Sequence, residues 1–186
     1  MTRKTMTLLW AALVLLAGMA GGENPAAITT LTLIDVDGTS VSLSLDALRA
    51  IPPATEKENI IVGRKEGLIG VFDYEGPTIA DLLSKAPAAQ AMPEYKKLNT
   101  YVVFKGTDGY QTIASWEELT ETADGRRALV VLKKDDKALS EEEGFMRTYF
   151  PADKYPCRSV KWLSSIEIHL APGVTERPKY TEEKTK

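Results

Sequence analysis

The stretch Arg158-Ser159-Val160-Lys161-Trp162-Leu163-Ser164-Ser165-Ile166-Glu167-Ile168-His169-Leu170 decides how this sequence is read. From Val160 to Leu170 it has the composition of a closing β-strand. On strand alternation Arg158 shares a face with Val160 and Trp162, and Ser159 shares the other with Lys161 and Leu163. The cations and the hydroxyl then meet at one point only if a bulge or loop precedes Val160. Beyond this strand, residues 171–186 form a charged tail with too little apolar content to fold alone.

Working back from that strand, Tyr149-Phe150 and the apolar run Ala128 to Leu132 read as further strands, with a turn at Asp135-Asp136. Tyr101 to Lys105 and Tyr110 to Ala114 flank Gly106-Thr107-Asp108-Gly109, a hairpin with Asp-Gly turn chemistry. Ser115 with Glu118 forms a capping box that opens a short helix carrying Trp116 and Leu119, and Thr78 with Asp81 opens another running to Lys85. Ala86 to Pro93 reads as a loop. Strands are expected at Asn59 to Val62 and Leu68 to Tyr74, and a hairpin over Ile28 to Ile34 and Thr39 to Leu43. Ser44 caps a third helix over Leu45 to Ala50, which Pro52 and Pro53 end because proline cannot continue the hydrogen bonding. Many strands with about three short helices make an α+β domain over residues 28–170.

Residues 1–22 read as a secretory signal peptide: Arg3 and Lys4 precede an apolar run from Met6 to Ala20, followed by small and polar residues. The run is shorter than the roughly 20 residues of a spanning helix, so no integral membrane span is expected after cleavage and the protein is expected to be secreted or periplasmic. An uncleaved anchor is the alternative. What remains, roughly 160 residues, fits a single domain. Its net charge goes from −3 to −5 once Arg3 and Lys4 leave, without a long basic run, which argues against nucleic acid as a partner.

Cys157 is the only cysteine, which rules out an intramolecular disulfide and a cysteine-pair zinc site. His169 is the only histidine, which rules out histidine-clustered metal centres, and no Gly-x-Ser-x-Gly elbow accompanies it.

Four segments, in order, resemble the molybdopterin-binding domain of sulfite-oxidase-type enzymes. They are Tyr74-Glu75-Gly76-Pro77-Thr78-Ile79-Ala80-Asp81-Leu82-Leu83; Gly106-Thr107-Asp108-Gly109-Tyr110 followed by Ser115-Trp116-Glu117-Glu118-Leu119; Glu143-Gly144-Phe145-Met146-Arg147 with Phe150-Pro151; and Arg158 to Leu163 with Ile166-Glu167-Ile168. The resemblance implies a mixed, β-rich fold and a molybdopterin cofactor. It also implies an oxidoreductase whose molybdenum is ligated by one cysteine thiolate in the first third of the domain, a soft ligand for a soft metal. Here that region, Glu56 to Phe72, reads EKENIIVGRKEGLIGVF and has no Cys, His or Met. No metal ligand can be assigned.

In the family's closing motif the positions of Arg158, Ser159 and Lys161 help hold the cofactor's phosphate, and a forked donor, a hydroxyl and a point charge suit that anion. Arg64, beside Lys65 between Gly63 and Gly67, is a fourth cofactor-binding candidate; exposed loop charge is its ordinary explanation. Arg147 is expected to anchor a loop on carbonyls or a carboxylate, Asp108 and Gly109 to form a turn, Trp116 and Trp162 to be core, and His169 to pack or face solvent. Glu141, Glu142 and Glu143 are expected only to solvate a loop. Cys157, beside Arg158, is either a reactive thiol or a partly buried bystander.

Three functions follow as expectations. The first is an exported, non-catalytic module that binds an anionic small molecule or an envelope protein. The second is a molybdenum-dependent oxidoreductase with oxygen or solvent in place of the thiolate, and the third is a structural envelope protein without ligand.

Overall fold

The structure, a computed structural model, describes residues 29–174. The expected signal peptide and most of the expected tail lie outside the described residues. A mixed sheet of five strands is built from β1 (Thr30–Ile34), β2 (Ser40–Ser44), β5 (Thr100–Gly106), β6 (Gln111–Ser115) and β11 (Leu163–Leu170) in the order β2-β1-β11-β5-β6. Only β1 and β11 run parallel. The closing strand is thus central, while the first strand of the described residues sits beside it. Its inward residues Leu163, Ile166 and Ile168 are buried against Leu31, Leu33, Val102 and Phe104.

Five short helices lie among the described residues: α1 (Leu45–Arg49), α2 (Ile79–Leu83), α3 (Pro87–Gln90), α4 (Glu94–Lys97) and α5 (Trp116–Glu121). Three are the expected ones, with Ser44, Thr78 and Ser115 accepting from the amides of Ala47, Asp81 and Glu118. The stretch expected to be a loop, Ala86 to Pro93, holds α3, and α4 follows directly after it. Pro87 opens α3 at its first turn, where a missing amide costs nothing. The free amides of Ala88 and Ala89 are satisfied by the buried carboxylate of Asp35, at 2.8 and 2.9 Å. That cap comes from 53 residues upstream, so local pattern could not reveal it.

A second sheet orders β3 (Ala54–Gly63), β4 (Gly67–Gly76), β8 (Lys133–Lys134) and β9 (Lys137–Ala138) as β3-β4-β8-β9. The short strands β7 (Leu129–Val131) and β10 (Arg147–Tyr149) pair with each other. β7 is apolar throughout because it has a core on each side: Val130 belongs to the main core, whereas Leu129 and Val131 join Tyr74 and Leu139 in a second. Gly76 lets β4 approach this strand, since a Cβ there would sit 2.0 Å from the Val130 carbonyl oxygen. Packing both sheets onto β7 opens a cleft between the β3–β4 hairpin and the approach to β11.

A cleft built by the hairpin and the closing motif

The segment Arg158 to Trp162 is not strand; β11 begins at Leu163. Trp162 is left-handed at φ 47°, and its amide and side chain are held by the loop carrying Glu141 to Glu143: Nε1 donates to the Glu141 carbonyl at 3.1 Å and the backbone N–H to the Glu143 carbonyl at 3.4 Å. Gly144 at φ 85° makes this contact possible, because a Cβ there would meet Trp162 Cα at 2.4 Å. The alternation expected for residues 158–162 therefore does not apply. Ser159, Lys161 and Trp162 all line one cleft, and Trp162, expected in the core, is half-buried at its wall.

The cleft has a volume of about 480 Å³, within the range of roughly 300–1,000 Å³ usual for small-molecule sites. Its apolar walls are Ile61, Ile69, Phe72, Tyr74, Tyr110 and Trp162, and its charged groups are Lys134, Arg147 and Lys161 with Asp108 and Glu143. Tyr74 packs at 4.8 Å against Tyr149, the rings tilted by 49°, and the Tyr149 hydroxyl donates to Asn59 Oδ1 at 2.5 Å. Burial, reinforced by the nearby Glu56 carboxylate, pushes the Tyr149 phenol up to about 12, and burial also raises that of Tyr74, so both remain neutral donors.

The cations differ in how far they are committed. Arg147 donates to Ser159 Oγ through Nε at 2.9 Å and Nη2 at 2.6 Å, and to Glu143 at 3.2 Å. It is an anchor, and Glu143, expected only to solvate a loop, is its carboxylate partner. Lys134 lies 3.9 Å above the Phe72 ring and 3.9 Å from Glu143. Lys161 sits 5.8 Å from the Trp162 ring centre and makes no ion pair among the described residues. Of the cations lining the cleft, it is the one left to meet an anion.

Arg158 is spent elsewhere. Its guanidinium donates to both oxygens of Asp153 at 2.5 to 3.1 Å and to Glu118 at 2.7 Å, and it packs 4.2 Å from the Phe150 ring centre. The Asp153 bond above all raises its pKa further, so this charge is permanent but neutralised. Arg64 is at the tip of the β3–β4 hairpin, 5.3 Å from the Tyr155 ring centre, and does not line the cleft. Of the four cofactor-binding candidates, then, Ser159 and Lys161 are brought together, while Arg158 and Arg64 are not.

Phe72, Tyr74, Tyr110 and Lys134 are not among the binding candidates read from the sequence, although Tyr74 and Tyr110 stand in two of the family-like segments. Phe72 and Tyr74, two apart on one strand, were the available signal for an aromatic wall. Asp108 accepts its own turn amide from Tyr110 at 2.9 Å, the turn role expected of it. His169 stacks on Tyr101 at 5.4 Å and bonds Glu167, away from the cleft, and Trp116 is core.

Flat aromatic walls, neutral phenols and one uncommitted cation suit a planar organic anion of the pterin type. The donor set does not suit a thiolate-ligated metal. Cys157 is exposed and turns only its carbonyl to the site, accepting from the Tyr110 hydroxyl. Among the described residues no three His, Cys, Asp or Glu side chains cluster as metal ligands.

No curated protein sequence matches the chain. Among solved structures it is similar to the sulfane dehydrogenase SoxCD from Paracoccus pantotrophus, with a TM-score of 0.56 and 16% identity over 75% of this chain. The match spans only 38% of that protein's chain, and at this identity it shows the fold alone. The profile of the oxidoreductase molybdopterin binding domain matches residues 30–174, which takes in all eleven strands of the described residues. By that match over most of its length, the chain belongs to the oxidoreductase molybdopterin-binding domain family.

Proposed function

We propose that the chain is a ligand-binding member of its family, an exported module whose cleft takes a planar, anionic organic molecule of the pterin class without ligating a metal through a thiolate. The observation that carries this reading is the pairing in one cleft of aromatic walls with Lys161, while the only cysteine points outside it. If molybdopterin is the ligand, Lys161 would meet its phosphate from a floor that Ser159, bonded to Arg147 and Thr148, holds in place, and Tyr110 and Trp162 would flank its ring system. The group would bring redox chemistry with it. This chain's residues would bind and orient it, exclude water with Phe72 and Tyr74, and hold the Tyr74 phenol proton in place. Export is supported by Arg3, Lys4 and the apolar run Met6 to Ala20.

Native mass spectrometry and absorbance of protein purified from a host with an active pterin-cofactor pathway test the reading. A bound pterin at about one per chain, lost in Lys161→Ala, is the expected result; Lys161→Ala should weaken binding roughly tenfold or more, the worth of a charge-assisted hydrogen bond. Protein free of any organic anion would overturn it. A stoichiometric metal bound with the pterin would instead favour an oxidoreductase with an oxygen ligand.

A further inference from the structure

The β3–β4 hairpin has two faces with different surroundings. Ile61 and Phe72 turn inward and wall the cleft. The other face follows from register: Ile60 pairs with Val71 and Val62 with Leu68, and directly paired residues share a side. Ile60 and Leu68 are each 67% exposed and Val71 53%, whereas Ile69, the extra residue of a bulge, lines the cleft. Ile60, Leu68 and Val71 are three of the eight large apolar side chains that the described residues expose. Exposed apolar residues scattered singly are ordinary, whereas a contiguous patch on one strand pair marks a contact surface.

Charge is sorted along the same face. At the tip stand Arg64 and Lys65, with the Glu66 carboxylate turned back on the Lys65 amide at 3.2 Å. Toward the base, Asp73 shares the side of Val71, two residues away, and leads into a recess of about 230 Å³ also lined by Thr55, Lys57, Glu75, Lys133 and Asp136. Glu75 and Lys133 neutralise each other at 2.7 Å, which leaves Asp73 and Asp136 against Lys57. The face therefore runs from a net positive tip through an apolar middle to a net negative recess.

Such a sequence of charge is its own complement when reversed. A two-fold axis lying between two such faces, perpendicular to the strands, lays apolar middle on apolar middle. It also brings the tip of each copy to the recess of the other. We propose that this face is the interface of a homodimer, isologous, with Leu68 and Val71 at its centre and Lys65 of each copy entering the Asp73–Asp136 recess of the other. The strands that form the interface on one side wall the cleft on the other, so the dimer braces the cleft from behind.

Sedimentation velocity of the full chain over a concentration series, at low and high salt, tests this. The expected result is a reversible monomer–dimer equilibrium that weakens with salt. Leu68→Asp combined with Val71→Asp should raise the dissociation constant about thirtyfold or more, as for residues at an interface centre. Because both side chains are exposed, the circular dichroism of the variant should match the original. Lys65→Met and Asp136→Asn should each weaken the dimer about two- to fivefold, as an exposed ion pair does. The double variant should lose no more than either alone. Asparagine is chosen because Asp136 is left-handed, at φ 62°.

A monomer at every concentration would overturn the proposal. So would a dimer indifferent to the Leu68/Val71 change, which would put the contact elsewhere, or a face that binds anionic phosphatidylglycerol vesicles and never a second copy.

Discussion

Arg147 and Ser159 are joined by two hydrogen bonds onto a single oxygen, from Nε at 2.9 Å and from Nη2 at 2.6 Å, while the same hydroxyl donates to the Thr148 carbonyl at 2.6 Å. One small side chain thus ties β10 to the irregular approach to β11, and that approach is the floor of the cleft. Ser159→Ala should cost about 1–2 kcal/mol, because it strands half-buried guanidinium donors and a carbonyl. Urea unfolding checks the cost. Ligand affinity should fall as well, even where the fold is saturated.

Arg158 and Lys161 should separate cleanly in experiment. Arg158 bridges Asp153 and Glu118 and touches no part of the cleft. Arg158→Met should destabilise the fold by about 2 kcal/mol, leaving two carboxylates facing each other without their cation. Arg158→Lys should recover little, since an ammonium cannot reproduce the fork. Lys161→Ala should leave the thermal midpoint within about a degree or two, a surface-like change. Paired melting and binding titrations check this; a loss of binding in the Arg158 variants at full occupancy of the folded state would contradict the assignment.

Asp35 accepts from the amides of Val36, Ala88 and Ala89. Asp35→Ala should cost about 2 kcal/mol, the price of orphaned amides at a helix start. Hydrogen exchange should localise the loss to Ala88 and Ala89, and Asp35→Asn should recover part of it.

Glu167 gives the acid side of the stability curve its direction. Burial works to raise its pKa, but the bonds from Lys105 at 2.8 Å, Ser165 and His169 together outweigh it, and the carboxyl titrates below its ordinary value. A lowered folded-state pKa means the unfolded chain binds the proton more readily. The contribution is therefore present above the ordinary glutamate range and lost as pH falls through the folded value. Glu167→Gln should flatten that part of the acid limb in urea titrations and leave the slope above pH 6 unchanged.

The Tyr149 phenol gives the opposite sign. With its folded pKa pushed up to about 12, its contribution is present below about pH 10 and lost as pH rises toward 12. Tyr149→Phe should remove that loss and weaken the Asn59 contact that holds the base of the hairpin.

How much of this was legible differs by element. The helices starting at Ser44, Thr78 and Ser115 were readable because cap and capped amide are three residues apart, and the Asp108-Gly109 hairpin because its turn chemistry is local. The helix α3 falls where a loop is expected, because it starts on a carboxylate 53 residues away. In the site, the pairing of Ser159 with Lys161 depended on whether Val160 was strand, and a left-handed Trp162 packed on Gly144 made it irregular. The sequence by itself determined the family likeness, the strand-rich order and the lack of a thiolate in Glu56 to Phe72, since each is a matter of residue type and near spacing. Tertiary structure decided which charges face the cleft. Arg158, Lys161 and Arg147 carry the same formal charge in sequence, and only the carboxylates that folding sets beside two of them leave the third to meet an anion.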